Sequence, residues 1–364
     1  MLKDTLTRHE AFWQQKSTDR PLLAVNVGFF VNQRFPRVME AMPEEEITPE
    51  DIPVEKFLKD CDDLHESHAG LGDYPFVSAP FVGIPWMEAI AGCPIMASKS
   101  SFWAEPCITD WKTWQWAESD LDNPWTKKLI ELMTALVEHS HGRYGVAPTL
   151  MRGPSDILSA MRGAAELSLD LMDDPDAVLP NIERAADLWK TMARVQHDLI
   201  PESNEGYVAG DAALRTWSPE KVLWLQEDAM SLLSPRLYKD FFLPVDRKLS
   251  SEFPCIAYHL HGSALWAIDD LLLLPGVDVI ELNLEDAACD IEGTFAGWKQ
   301  IQEHKPCIMW RAYGKDFKPW IERVLREYPA KGLSIQVSAS NSADAKLAQT
   351  TFFEAVAAFC GRNK

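Results

Sequence analysis

Residues 254–285 read PCIAYHLHGSALWAIDDLLLLPGVDVIELNLE. A short apolar run, Cys255 to Tyr258, leads into two histidines, His259 and His261, and then Gly262. A helix-like segment, Ser263 to Leu273, follows, and after Pro275-Gly276 comes a second apolar run, Val277 to Leu282. Strand, helix and strand in about thirty residues make a βαβ unit. The histidines fall where the first strand ends, and in a parallel α/β barrel that end of a strand carries the chemistry. Side chains two apart on a strand point the same way, so both imidazoles should face one cavity. Two imidazoles on one wall suit a divalent metal, with zinc the usual occupant. The plainer alternative leaves one histidine bonded to backbone and the other merely exposed.

The chain has 364 residues, 46% hydrophobic and 25% charged, which is enough for a full-sized core and too mixed for disorder. A (β/α)8 barrel with insertions runs from about 200 to over 400 residues, so residues 1–364 are expected to form a single domain. The net charge of -20 repels nucleic acid and anionic membrane on average, and neither is expected as a partner. Seven scattered cysteines with no CxxC pair read as a reduced, cytoplasmic chain. The first residues, MLKDTLTRHEAFWQQ, lack the apolar core of a signal peptide. No apolar run approaches the roughly 20 residues of a membrane span.

Working outward from the βαβ unit, strands are expected at Leu22–Val27, Ile95–Trp103, Tyr144–Thr149, Tyr207–Asp211, Cys255–Leu260, Val277–Leu282, Cys307–Trp310 and Leu333–Val337. Helices are expected between them, at Pro154–Gly163, Asp176–Leu199, Thr294–His304 and Phe317–Tyr328, with Ser342–Phe359 closing the chain. Ser234-Pro235 opens another helix, with serine as its cap and proline at the first position. About eight strands alternating with helices predict the α/β class and a parallel sheet closed into a (β/α)8 TIM barrel. Residues 28–142 break the rhythm with frequent Pro, Trp and Gly. Residues 1–142 are therefore read as including an N-terminal elaboration over the barrel mouth, and 143–364 as the regular barrel portion.

A barrel gathers its site from the polar residues just after each strand. Asp211 and Glu281 are the candidate catalytic residues. Arg152, Asn283, Arg311 and Ser338 are candidates for substrate binding, and His259 and His261 for metal. The two arginines suit bidentate capture of an anionic group, so a small anionic substrate is expected. Each residue has a plainer alternative. Asp211 can cap a turn, Glu281 can point outward, and the arginines can form structural ion pairs. Glu285-Asp286 reads as a solvated turn and Cys307 as core. No GxGxxG follows a strand, and GxxxxGK[ST] and GxSxG are absent, which removes support for nucleotide-binding and serine-hydrolase readings built on those motifs.

Several stretches together resemble the uroporphyrinogen decarboxylase superfamily, which includes the zinc methyltransferases serving corrinoid proteins and coenzyme M. They are Glu88-Ala89-Ile90-Ala91-Gly92-Cys93, Arg152-Gly153-Pro154, Asp173-Asp174-Pro175, Asp228 followed by Ser234-Pro235 and Tyr238 through Pro244, Pro254 through Gly262, and Pro275-Gly276-Val277-Asp278. The resemblance covers most of the chain and implies the same barrel fold. In the methyltransferase branch a His-x-Cys pair and a distant cysteine hold zinc. Here His259 matches the histidine, His261 stands at the first cysteine position, and no cysteine lies near Ser338 or Ser340. A metal would then sit among imidazoles and carboxylates, His259 and His261 with Glu281 as a further candidate. Arg34-Phe35-Pro36-Arg37 only faintly echoes the arginine-rich motif of the decarboxylases. The resemblance implies a divergent member nearer the corrinoid/coenzyme M methyltransferase-like branch. The expected activity is transfer of a methyl group between a small methylated compound and a corrinoid or similar carrier on a partner protein. The alternatives are a metal-assisted decarboxylase or lyase acting on a small carboxylate, with Arg152 and Arg311 clamping the acid and Asp211 moving a proton, and a non-catalytic partner of a corrinoid protein.

Overall fold

The computed structural model describes residues 3–210, 214–284 and 290–362. At its centre lie seven strands: β1 (Leu22–Val27), β2 (Met151–Arg152), β3 (Val222–Gln226), β4 (Cys255–Leu260), β5 (Val277–Leu284), β6 (Cys307–Ala312) and β7 (Leu333–Ala339). They form one sheet in the order β1-β7-β6-β5-β4-β3-β2, and every neighbouring pair is parallel. Residues of β4 and β7 are buried throughout, as in a parallel sheet covered on both faces. The expected βαβ unit is present over residues 254–284. β4 and β5 pair directly, and the chain between them turns through the helical stretch Gly262–Ala267 and Ile268–Leu272. Gly276 makes the turn into β5 with φ +72, and a Cβ there would fall 2.1 Å from the Ser250 carbonyl oxygen.

Alternation sorts each strand onto two faces. Ile256, Tyr258, Ile280, Leu282, Cys307, Met309, Ile335 and Val337 join the large core shared with the helices. Ala24, Trp224, Ala257, Val279 and Ile308 form a smaller cluster on the opposite face, with Phe12 of the first helix. Helix Ile291–His304 is tied to the sheet by Trp298, whose indole N–H donates to the Leu282 carbonyl at 2.8 Å.

Three expected strands lie off this sheet. Ile95–Trp103 is two short strands, Ile95–Ala97 and Phe102–Ala104, in an antiparallel sheet with Glu46–Ile47. The polar cluster between them is a turn closed by the Ser98 N–H donating to the Ser101 carbonyl at 2.9 Å. Of Tyr144–Thr149 only Gly145–Val146 is strand, paired parallel with Val77–Ser78. Tyr207–Ala209 pairs antiparallel with Thr216–Ser218. The place in the main sheet beside β4 belongs instead to β3, which the sequence reading passed over: VLWLQ is four apolar residues and a glutamine, all buried, and so short a run has no periodicity that separates strand from helix.

Candidate functional site

His259 lies in register with Gln226 on β3 and Glu281 on β5. Two residues earlier on these strands stand Ala257, Trp224 and Val279, all in the smaller cluster, so the three polar side chains share its face. His259 Nδ1 meets the Glu281 carboxylate, which is fully buried. Glu281 therefore lies behind His259 and takes its Nδ1–H, while Nε2 is the nitrogen turned toward His261 and Asp228.

His261 sits just past the end of β4, on the same face. Its Nε2 is 3.1 Å from His259 Nε2 and 3.0 Å from Asp228 Oδ1. His259 Nε2 lies 3.9 Å from that same oxygen. One ligand atom from each of Asp228, His259 and His261 falls within 4.8 Å of the others. Asn283 Nδ2 is 3.1 Å from His261 Nδ1. A metal-ligating Nε2 places the proton on Nδ1, and turning the Asn283 amide over would set its carbonyl oxygen to accept it. Two imidazoles and a carboxylate, with a buried glutamate behind one imidazole, match the donor set and outer shell of a divalent transition-metal site that keeps room for water or substrate.

The electrostatics are consistent with a charged cluster. Burial works against the imidazolium of His259, yet the Glu281 and Asp228 carboxylates outweigh it and hold the pKa above its ordinary value. Burial alone would raise Asp228, but the His261 hydrogen bond and the charges of His259, His261 and Arg152 bring it down to about 2. Asp156 moves the other way, up to about 8, through burial and then the neighbouring Asp228 charge. Glu227 also rises well above the usual carboxylate range, through burial and then the charges of Asp246 and Asp156. Glu227 explains the glycine of Arg152-Gly153-Pro154. A Cβ on Gly153 would lie 2.0 Å from Glu227 Oε1, while Glu227 Oε2 accepts the Ser155 N–H at 2.9 Å at the start of helix Pro154–Arg162.

Two cavities meet at the cluster, and Asp228 and His261 line both. The first, about 500 Å³, adds His259, Asn283 and an apolar wall that includes Phe29, Leu284 and Trp310. Phe29 stacks on Trp310 with ring centroids 5.7 Å apart. The second, about 460 Å³, sets Glu88, Arg152, Asp156, Ser231 and Ser263 among small and apolar residues such as Ala160, Ala164 and Leu232.

The structure thus brings His259, His261 and Asn283 to one cavity and sets Glu281 behind it. Ser338 is buried behind the wall, where its hydroxyl accepts from Trp310 Nε1 at 3.1 Å. Arg152 lines the second cavity, with Nη1 donating to Glu88 Oε1 at 2.9 Å. Arg311 requires a correction. Its neighbours Trp310 and Ala312 line the first cavity, while Arg311 shares the face of Cys307 and Met309. Its Nη2 donates to both Asp316 carboxylate oxygens, at 2.8 and 2.9 Å, and the guanidinium lies 5.1 Å from the Trp320 ring centre. The pair of arginines expected to clamp one substrate is therefore split between two faces. Asp211 and Glu285-Asp286 lie outside the described residues. Asp228, Glu88 and Asp156 were not among the expected site residues. The available signal for Asp228 was a carboxylate almost immediately after the apolar run that forms β3.

The sequence matches no protein-family model and no curated protein. In three dimensions the chain is similar to a methyltransferase from Methanosarcina mazei, with a TM-score of 0.66 and 12% identity over 98% of each chain. A mannanase from Bacillus subtilis overlays at a TM-score of 0.39, with 12% identity over 97% of this chain and 90% of that one. A double mutant of the Cellulomonas fimi endo-β-1,4-mannanase gives 0.38 and 12%, over 83% and 71%. The mannanase overlays are too loose to bear on function. The methyltransferase likeness, end to end at low identity, is a likeness of fold.

Proposed function

We propose that this chain is a metal-assisted methyltransferase of the uroporphyrinogen decarboxylase superfamily, divergent from its thiolate-rich zinc enzymes. It moves a methyl group between a small methylated compound and a corrinoid or similar carrier held by a partner protein. The parallel sheet closes into a barrel in this reading, with the short pair Val77–Ser78 and Gly145–Val146 in the gap between β1 and β2. The observation that carries the proposal is the convergence of Asp228, His259 and His261 within 4.8 Å at the ends of β3 and β4. The methyltransferase with the same fold supports the reaction class.

Asp228, His259 and His261 would hold zinc or another divalent ion, and Glu281 would fix the tautomer of His259. The bound ion would supply Lewis-acid polarisation of the heteroatom that gives up or accepts the methyl group. The apolar wall with Phe29 and Trp310 would shelter that group from water. In transfer the carbon–heteroatom bond breaks with its electron pair left on the heteroatom, and the carrier's nucleophile forms the new bond to carbon. A decarboxylase needing both Arg152 and Arg311 on one acid has less support, because those guanidiniums occupy different faces.

Elemental analysis of untagged protein, before and after dialysis against zinc, tests the metal. One equivalent removed by His261→Ala is the expected result. Protein that stays metal-free after dialysis counts against the proposal. Methylation of a reduced corrinoid by the zinc-loaded chain, in the presence of small methylated donors, tests the reaction.

A further inference from the structure

Cys93 and Cys107 stand at the two feet of a hairpin. Between them run the antiparallel strands Ile95–Ala97 and Phe102–Ala104. The Glu105 N–H donates to the Pro94 carbonyl at 2.9 Å, which carries the pairing almost to the cysteines. Each foot is also anchored to a helix. The Cys93 N–H donates to the Glu88 carbonyl at 2.9 Å, on helix Trp86–Ala91. The Cys107 N–H donates to the Met161 carbonyl at 2.8 Å, on helix Pro154–Arg162. Held in this way, the two sulfurs lie 3.8 Å apart.

The two thiols are unequal. Cys93 is 3% exposed, whereas Cys107 is partly exposed. The hydrogen bond between them holds the Cys107 pKa below its ordinary value, and the same bond, with burial, raises that of Cys93. The more accessible sulfur is thus the better thiolate, and the thiolate is the attacking species in disulfide exchange. The other buried cysteines differ. Burial pushes the Cys61 thiol up to about 12, and it lies 3.1 Å from the Ser78 hydroxyl. Burial also drives Cys255 and Cys307 well above the usual thiol range.

We propose that Cys107 and Cys93 are a reactive pair, oxidised to an intramolecular disulfide by a small-molecule disulfide such as oxidised glutathione. The Cys107 thiolate attacks one sulfur of the reagent, whose S–S bond breaks and releases a thiolate. That thiolate takes the Cys93 proton. The Cys93 sulfur then attacks Cys107, and the mixed disulfide breaks to release the second glutathione. Two cysteine thiols are oxidised and one glutathione disulfide is reduced to two thiols. A disulfide bond is about 2.05 Å long, so the sulfurs close by about 1.8 Å as one side chain turns toward the other. The bond would fasten together the feet of the hairpin. Through them it would link the helices that bring Glu88 and Asp156 to the second cavity.

The full chain, freed of other reductants, is equilibrated in glutathione buffers of rising oxidised share. It is then quenched with acid, alkylated in denaturant and mapped by mass spectrometry. The expected result is loss of alkylation at Cys93 and Cys107 together, with their two peptides linked to each other, reversed by dithiothreitol. Cys93→Ser should stop the reaction with one glutathione left on Cys107. Cys107→Ser should leave Cys93 free of glutathione and open to alkylation after unfolding. If Cys93→Ser, a change at a buried position, does not fold, Cys107→Ser decides. Exposed Cys360 serves as the internal reference. Glutathione on Cys360 while Cys93 and Cys107 stay reduced would overturn the proposal. So would bonding of either cysteine to another cysteine or another chain, or uptake of glutathione by Cys93 in Cys107→Ser as fast as the parent pair closes.

Discussion

The ends of β4 and β6 belong to one sheet, with only β5 between them, and they treat their polar residues oppositely. His259 is turned to the face of the smaller cluster, where Glu281 from β5 and Asp228 from beyond β3 meet it. Arg311 is turned to the helix side, where Asp316 grips it with two oxygens and Trp320 lies beneath it. Both sit late on apolar strands, and either could have served a ligand. The difference is one of parity: Arg311 follows Cys307 and Met309 on the core face, whereas His259 follows Ala257 on the other. A one-residue step decides whether a charge becomes part of a site or part of the scaffold.

The comparison breaks most readily on the β4 side. His261→Ala or Asp228→Ala should lower zinc affinity by more than about 100-fold, since each removes a direct ligand and loss of an outer-shell partner alone costs about 10–100-fold. Competition with a chromophoric chelator measures it, and unchanged affinity in both variants would dissolve the metal centre. Glu281→Gln keeps the shape but weakens the partner of His259 Nδ1. It should cost about 10–100-fold in zinc affinity with the circular dichroism spectrum unchanged.

Acid should act on the same side. Zinc needs the neutral imidazole, and the His259 pKa is raised because its carboxylate partners outweigh burial. Protons should therefore begin to displace zinc above the ordinary histidine value of 6.5, with affinity falling further as the pH drops. In the metal-free chain the sign for stability is opposite. The raised His259 pKa contributes stability that is complete below the unfolded value and lost as pH rises through the folded one. Chemical denaturation of metal-free protein across this window checks the second claim, and zinc titration over the same range checks the first.

The β6 side should answer in stability alone. Arg311→Ala removes a two-point ion pair between a buried guanidinium and the exposed Asp316, together with a ring contact, and should cost about 1.5–3 kcal/mol in unfolding free energy with zinc affinity unchanged. A loss of ligand binding at full stability would instead return Arg311 to the site. The smallest effect belongs to Ser338→Ala, which frees the Trp310 N–H from its acceptor. About 1 kcal/mol of stability and a shift in tryptophan emission are expected.

How much was legible differs residue by residue. The spacing His259-x-His261 at the end of an apolar run pointed to one face of one strand, and both imidazoles lie there. Asn283 followed by the same rule on the next strand. Asp228 escaped because it belongs to the site only through the register of β3 against β4, and β3 itself was not recognised. Glu281 was recognised, but whether it would touch a metal or stand behind a histidine depends on its being opposite His259 in the ladder. Ile95–Trp103 misled because hydrophobicity dominated the reading while the Ser98–Ser101 turn cuts the run in two.

By itself the amino-acid sequence determined the alternation of apolar strands and helices, hence a parallel sheet buried on both faces, and the placing of two histidines at a strand end. These are local properties, set by side-chain period and by turn residues such as Pro275-Gly276. Only the tertiary structure decided that Asp228 completes the cluster, that Arg311 is turned away from it, and that a second, acid-lined cavity shares its wall. Each of those depends on strand register and on which face a strand presents. A strand apolar on both faces, such as β6, carries no mark of which side is which until its neighbours are in place.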